Sequence, residues 1–173
     1  IAECARRLDW SPEQLIVNLQ GDEPEMPAAC LDQVAELLAG APEAAAATLC
    51  WPIDDPAQVD DPNVVKVVWN AVGDALWFSR SRLPHARDWP DPAEGLAAGV
   101  RWYRHLGLYA YRNVALQEYT RLTPTPLERL ERLEQLRFLE SGRRMRIAVA
   151  VEPIPPGIDT PADLERARRD LAS

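Results

Sequence analysis

An α/β fold, with a mostly parallel mixed sheet between helices, is what this chain predicts. Short β-type runs alternate with segments of helical period, and in two places a Thr-Pro-x-acid cap marks where a helix opens. One hairpin interrupts the alternation. A length of 173 residues suffices for one core and falls short of two ordinary ones, so residues 1–173 are expected to form a single domain.

The elements follow in order. Ile1 to Trp10 has the composition of closing helical turns. Leu15 to Leu19 is a β-type run behind the Ser11-Pro12-Glu13 loop. Pro27 to Leu38 carries Leu31, Val34, Leu37 and Leu38 at helical spacing, with Gly40 as the stop. Ala45 to Cys50 is a strand of small residues, and the acidic, proline-rich stretch Pro52 to Pro62 is a loop. Val64 to Trp69 and Ala75 to Phe78 flank Asn70-Ala71-Val72-Gly73-Asp74, which reads as a hairpin. Residues 81 to 103 show no period and form a long loop, the kind that is usually functional or mobile. His105 to Tyr111 is a strand and Asn113 to Leu122 a helix. Thr125-Pro126-Leu127-Glu128 is a capping box opening a helix to about Glu140, closed by Gly142. Met145 to Val151 is a strand, and Thr160-Pro161-Ala162-Asp163 caps a last helix.

A net charge of -8 speaks against a broad nucleic-acid surface but leaves room for nucleotides held by a few arginines and a metal. No apolar run reaches membrane-spanning length. Cys4, Cys30 and Cys50 are widely spaced and lack a CxxC, so they read as free thiols of a reducing compartment, with the cytoplasm expected.

The chemistry concentrates at strand ends, where open α/β sheets bind ligands. Asp22 and Glu23 follow the run Leu15 to Leu19, between Gly21 and Pro24. Asp159 lies beyond the Met145 to Val151 strand, after Pro155-Pro156-Gly157. Two carboxylates presented by stiff backbone suit Mg²⁺, which takes one or two carboxylates plus substrate phosphates; acidic turn chemistry explains the same residues more plainly. Arg80, Arg82, Arg87, Arg101 and Arg104 cluster in an acidic chain and could grip carboxylate or phosphate. His105 and Tyr109 share a strand face. Glu134 and Gln135 read as part of an amphipathic helix. No phosphate-binding P-loop, GxGxxG or nucleophile elbow occurs.

VNLQGDEP, NVVKVVWNAVGDALWFSRSRLP, RHLGLYAYR, TPLERLERLEQLR and GIDTPADLERAR resemble, in order and spacing, the motifs of the 3-deoxy-manno-octulosonate cytidylyltransferases, the CMP-Kdo synthetases. The resemblance covers nearly the whole chain. It implies a nucleotide-diphosphosugar transferase fold of Rossmann-like type, usually a homodimer. It implies conversion of CTP and Kdo to CMP-Kdo and pyrophosphate for lipopolysaccharide synthesis. Carried to matching positions, it implies Asp22 and Asp159 as Mg²⁺ ligands. Gln20, Arg80, Arg87, His105, Tyr109, Glu134 and Gln135 are implied as Kdo contacts, with Arg80 also catalytic. Another sugar acid, an 8-amino-Kdo or a sialic-type acid, and a non-catalytic sugar-acid-binding remnant remain alternatives.

The family's amino-terminal phosphate-gripping loop has no counterpart in this sequence, which begins at Ile1. The resemblance therefore implies the carboxyl-terminal two-thirds of such an enzyme. These residues alone are expected to bind CTP poorly, to lack turnover and to be unstable.

Overall fold

The computed structural model describes residues 1–21, 23, 25–154, 158, 164–165 and 168–169. In chain order the elements are α1 (Ala2–Arg7), β1 (Leu15–Asn18), α2 (Ala28–Ala39), β2 (Ala44–Pro52) and α3 (Pro56–Asp60). The hairpin β3 (Lys66–Trp69) and β4 (Ala75–Ser79) follows, then α4 (Pro92–Ala97) and β5 (Tyr103–Arg112). The described elements close with α5 (Asn113–Tyr119), α6 (Pro126–Glu131), α7 (Leu136–Glu140) and β6 (Arg144–Val149). Of the expected last helix, residues 164–165 and 168–169 are described and helical, and its Thr160 to Asp163 cap lies outside the described residues.

A single mixed sheet runs β4-β3-β5-β2-β6, with β1 added against β5. The α/β class and the single sheet are as expected; the predominance of parallel pairs is not. Among the described strands only β2 and β6 pair in parallel, while β1–β5, β2–β5, β3–β4 and β3–β5 are antiparallel. Alternation of strand and helix predicts parallel crossovers only when each helix returns the chain in the same direction. Here β5 enters from a long excursion and α5 simply follows its end.

β5 organises the sheet. Its long edge takes β2, while β1 and β3 share the other edge, β1 at residues 109–112 and β3 at Arg104. Its side chains alternate as a pleat requires. Leu106, Leu108 and Ala110 join the core under α2, whereas Tyr109, with Tyr103 and Tyr111 packed beside it, belongs to the opposite core. α2 covers its face through Cys30, Val34 and Leu38, spaced one helical turn apart and fully buried. The alanines of β2 let both layers approach this strand closely, and a register slip near Ala45 turns Ala45 and Ala46 to the same core. Cys50 is buried here and its thiol is pushed up to about 12 by desolvation, an unreactive state. The three cysteines are free, as expected.

The hairpin forms at the predicted place. Asn70 Oδ1 accepts from the N–H groups of Val72 and Asp74 at 3.1 and 2.9 Å, and Gly73 supplies φ +84°. The turn curls across the sheet so that Ile147 N–H donates to Gly73 O at 2.9 Å. Two short helices interrupt segments expected to be loops: Asp55 caps α3 and Asp91 caps α4, each at 2.9 Å with proline at the next position. No described helix is long and apolar enough to cross a membrane.

The capping box at Thr125 forms, with Thr125 N–H donating to Glu128 Oε2 at 3.0 Å. The helix it opens does not continue to Glu140. Arg132 adopts left-handed dihedrals (φ 53°, ψ 48°), ends α6, and leaves a break before α7. Buried Leu133, Leu136 and Phe138 anchor the far side of that break in the core.

Candidate active site

A cavity of about 1250 Å³ opens over the Tyr109 face of β5, larger than the ~300–1,000 Å³ of an ordinary ligand pocket. Of the residues singled out from sequence, it gathers Gln20, Arg80, His105, Tyr109, Glu134 and Gln135. Asp22 and Asp159 lie outside the described residues. Arg87 is exposed between β4 and α4 and does not line the cavity.

Each of these side chains owes its place to local structure. β1 runs beside β5 only as far as Asn18 opposite Tyr109, and the chain then turns away. Glu23 N–H donates to Gln20 O at 3.2 Å in that turn, and both residues reach the cavity. The Gln20 amide lies against Gly107: a Cβ there would stand 3.1 Å from Gln20 Oε1. The bare glycine between His105 and Tyr109 is therefore what lets the glutamine lie flat on the strand.

His105 is wedged between Phe78 and Tyr109, with ring centroids at 4.9 and 5.3 Å, and its Nε2 lies 2.9 Å from Thr48 Oγ1. Desolvation lowers its pKa from 6.5 to about 3, so the imidazole is neutral. Burial raises the Tyr109 phenol well above its ordinary value, with Tyr111 and Glu134 adding to it, so Tyr109 keeps its proton as a donor.

Arg80 directs its guanidinium mainly at the protein. Nε donates to Glu131 O at 2.7 Å, Nη1 to Pro62 O at 2.8 Å and Nη2 to Arg132 O at 3.5 Å. Glu131 answers by accepting from Ser79 Oγ at 2.8 Å and Arg80 N–H at 2.9 Å. The Phe-Ser-Arg motif at 78–80 thus locks the end of β4 to the end of α6, and with it the break that carries Glu134 and Gln135. The sequence pattern places those two residues on a continuous amphipathic helix; the left-handed turn at Arg132 instead brings them to the cavity wall, where Gln135 is only 7% exposed. A polar clasp holds the break from behind. Arg137 pairs with Glu128 and lies 4.3 Å over the Tyr119 ring, while Tyr119 Oη donates to the Glu134 carbonyl at 3.2 Å.

Most of the arginine cluster serves structure. Arg82 pairs with Asp60 at 2.5 Å and Arg101 donates to nearby carbonyls. Arg104 lines the cavity, donates to Ile154 O at 2.8 Å, and has its pKa lowered by burial against the opposing pull of Glu23. It thereby joins the segment after β1 to the segment after β6. Lys66 went unremarked in the sequence, being one cation within an apolar strand. It is fully buried, and Nζ donates to the carbonyls of Asp61, Val64 and Arg80 at 2.7, 2.5 and 2.7 Å. Its position next to valines signals burial, but only the folded chain shows that it gathers the cavity's rim.

The arrangement can therefore hold a polar, many-hydroxyl ligand on amide, phenol and imidazole groups. The described lining mixes cations with acids: Arg6, Arg80, Arg104 and Arg132 against Glu3, Glu23, Asp54, Asp55 and Glu134.

A cytidylyltransferase family model matches residues 1–147. The chain is 50% identical over its whole length to the 3-deoxy-manno-octulosonate cytidylyltransferase of Xanthomonas campestris pv. campestris strain B100, spanning 62% of that protein. It is 49% identical to the enzyme of the same name from Pseudomonas syringae pv. syringae strain B728a, over 99% of this chain and 68% of that one. A solved structure of CMP:2-keto-3-deoxy-manno-octonic acid synthetase complexed with CTP superposes with a TM-score of 0.82 at 38% identity, covering 99% of this chain and 66% of that one. The chain spans about two thirds of the length of these relatives. With this fold, this cavity and these matches together, the chain belongs to the cytidylyltransferase family, among the 3-deoxy-manno-octulosonate cytidylyltransferases.

Proposed function

We propose that this chain carries the sugar-acid half of an enzyme that joins CTP and Kdo to give CMP-Kdo and pyrophosphate, for lipopolysaccharide biosynthesis in the cytoplasm. The observation that carries the reading is the convergence of Gln20, Arg80, His105, Tyr109, Glu134 and Gln135 on one cavity, from four separated stretches of sequence. Relatives bearing the name of this activity and a CTP-complexed neighbour support it. The cavity's size suits a sugar acid with part of a nucleotide beside it.

In this reading the anomeric hydroxyl of Kdo attacks the α-phosphorus of CTP in line, the new oxygen–phosphorus bond forms, and pyrophosphate leaves. No covalent enzyme intermediate is needed, and positioning with electrostatics lowers the barrier. Tyr109 donates and His105 accepts at sugar hydroxyls, while Gln20 and Gln135 offer both donor and acceptor. Arg80 keeps its positive charge at the wall and the Glu134–Gln135 break in place. Asp22 and Asp159 are the residues that would hold Mg²⁺, and the oxygen donors Gln20 and Glu23 at the cavity fit a hard cation. Bound there, the ion supplies charge neutralisation at the α-phosphate and acidifies the attacking hydroxyl. The homodimer would use α6, whose Leu130 is 79% exposed.

The test is pyrophosphate release by the protein from its complete reading frame, supplied with CTP, Mg²⁺ and Kdo. Turnover is expected, with Asp22→Asn or Asp159→Asn lowering it at least a hundredfold. Release only with a different sugar acid reassigns the substrate; near-normal rates in both variants remove the two carboxylates from the metal site.

A further inference from the structure

Thr48 is a polar side chain shut completely into the core, and it does not line the cavity. It sits where β2 and β5 slip register: Thr48 pairs with Tyr109, yet Cys50 pairs with His105. Regular antiparallel pairing would set Cys50 against Gly107, so the residues about Gly107 bulge out of the ladder. Bulges of this kind re-aim side chains beside functional sites.

The Thr48 hydroxyl fills that bulge. It carries one hydrogen, and the carbonyl oxygens of Leu108 and Leu106, at 2.8 and 3.2 Å, can only accept it. Its remaining neighbour, His105 Nε2 at 2.9 Å, must then be a donor. Among the described residues no carboxylate bonds the ring to stabilise a second N–H, so a neutral imidazole with its one hydrogen on Nε2 leaves a bare lone pair on Nδ1. Among the described residues that nitrogen has no partner, and it is not sealed in: the buried side-chain nitrogen or oxygen without a partner among them is Arg146 Nε. His105 lines the cavity, and with Nε2 turned to Thr48 the ring nitrogen left to meet a ligand there is Nδ1.

We infer that Thr48 is a positioning residue for this site: it holds His105 as the Nε2–H tautomer, so that Nδ1 accepts a hydrogen bond from a hydroxyl of the bound sugar acid. The inference rests on the sugar-acid reading above. A lone pair repels a carboxylate, so the same arrangement turns the acid group of the ligand away from His105 and selects one orientation. Thr48 would thus act on specificity without touching substrate.

The experiment combines ¹⁵N NMR of the histidine rings with kinetics on the protein from its complete reading frame. Only His85 and His105 contribute signals from the chain described. The native protein is expected to show His105 as Nε2–H at neutral pH, with the Nδ1 signal moving on addition of sugar acid. Thr48→Val should mix the tautomers and raise KM for the sugar acid about tenfold, with a smaller change in kcat and in KM for CTP. Thr48→Ser should restore both. A native His105 protonated on Nδ1, or on both nitrogens, overturns the inference. So does a Thr48→Val protein that keeps the Nε2–H signal and its KM. Absence of any sugar-acid binding by the native protein overturns the cytidylyltransferase reading instead, while the nitrogen signals still decide what Thr48 does to the ring.

Discussion

Gly107 shows how much of the site depends on a missing side chain. Its backbone does not need glycine for conformation, since its φ is not among the positive values. Its need is space: an added Cβ meets Gln20 Oε1 at 3.1 Å and the amide carbon at 3.2 Å. Gln20 is exposed and can swing aside. Gly107→Ala is therefore expected to leave stability within roughly 0.5 kcal/mol of native, as for surface changes, while raising KM for the sugar acid several-fold. Thermal melts and steady-state kinetics check the pair; an unchanged KM would remove Gln20 from the ligand's contacts. The glycine itself was visible in the run Arg104 to Arg112, but its partner was not, because Gln20 lies far away in sequence. Lys66 failed to draw notice for a similar reason: its three carbonyl partners come from two different loops.

Among the elements, the legible ones were those whose signals are local. The Asn70 to Asp74 turn, the Thr125 box and the α2 stripe each sit within a few residues of their cause. α3 and α4 were passed over although Asp55-Pro56 and Asp91-Pro92 are good helix starts; both are so short that no apolar period could accompany them. The α6–α7 break was hidden because no glycine or proline marks it. Arg132 takes left-handed dihedrals because Arg80, Glu131 and the Glu128–Arg137 pair hold the chain there. α4 also bears a test. A Cβ on Gly95 would stand 2.6 Å from Trp102 Cη2, and that ring is fully buried and pinned by its Nε1 donating to Pro84 O at 2.9 Å. Helix propensity alone favours alanine over glycine, but overpacking costs about 1–3 kcal/mol. Gly95→Ala should lower Tm; an equal or higher Tm would show that the Trp102 pocket yields.

For the whole molecule, His105 links the site to acid stability. Its pKa falls from 6.5 to about 3 on folding because burial disfavours the charged ring. Below the unfolded value the unfolded chain takes up a proton that the native chain refuses. Stability from this group is thus intact above about pH 6.5 and lost as pH falls towards 3, by up to about 1.4 kcal/mol per pH unit. Denaturant titrations between pH 7 and 5 should show the loss, and His105→Gln should flatten it; an equal slope in that variant would mean that other groups carry it. The order and direction of strands were the least legible feature at this scale. Antiparallel and parallel strands have the same side-chain alternation, and nothing near Leu15 or Lys66 states that both will share one edge of β5. Of the residues named through the motifs, Gln20, Arg80, His105, Tyr109, Glu134 and Gln135 line one cavity and Arg87 does not, while the structural employment of Arg80, Arg82 and Arg101 was not legible, since their partners are backbone carbonyls and an exposed aspartate.

The break between α6 and α7 is held from outside itself, by the clasp of Thr125, Glu128, Arg137 and Glu140 and by the Arg80–Glu131 lock at the end of β4. Glu134 and Gln135 can therefore be exchanged for other side chains without disturbing a strand or the cap that supports them. Variation there redraws the cavity wall while the framework behind it stays unaltered, which makes this short turn a place where related chains can diverge in what they accept at little risk to folding.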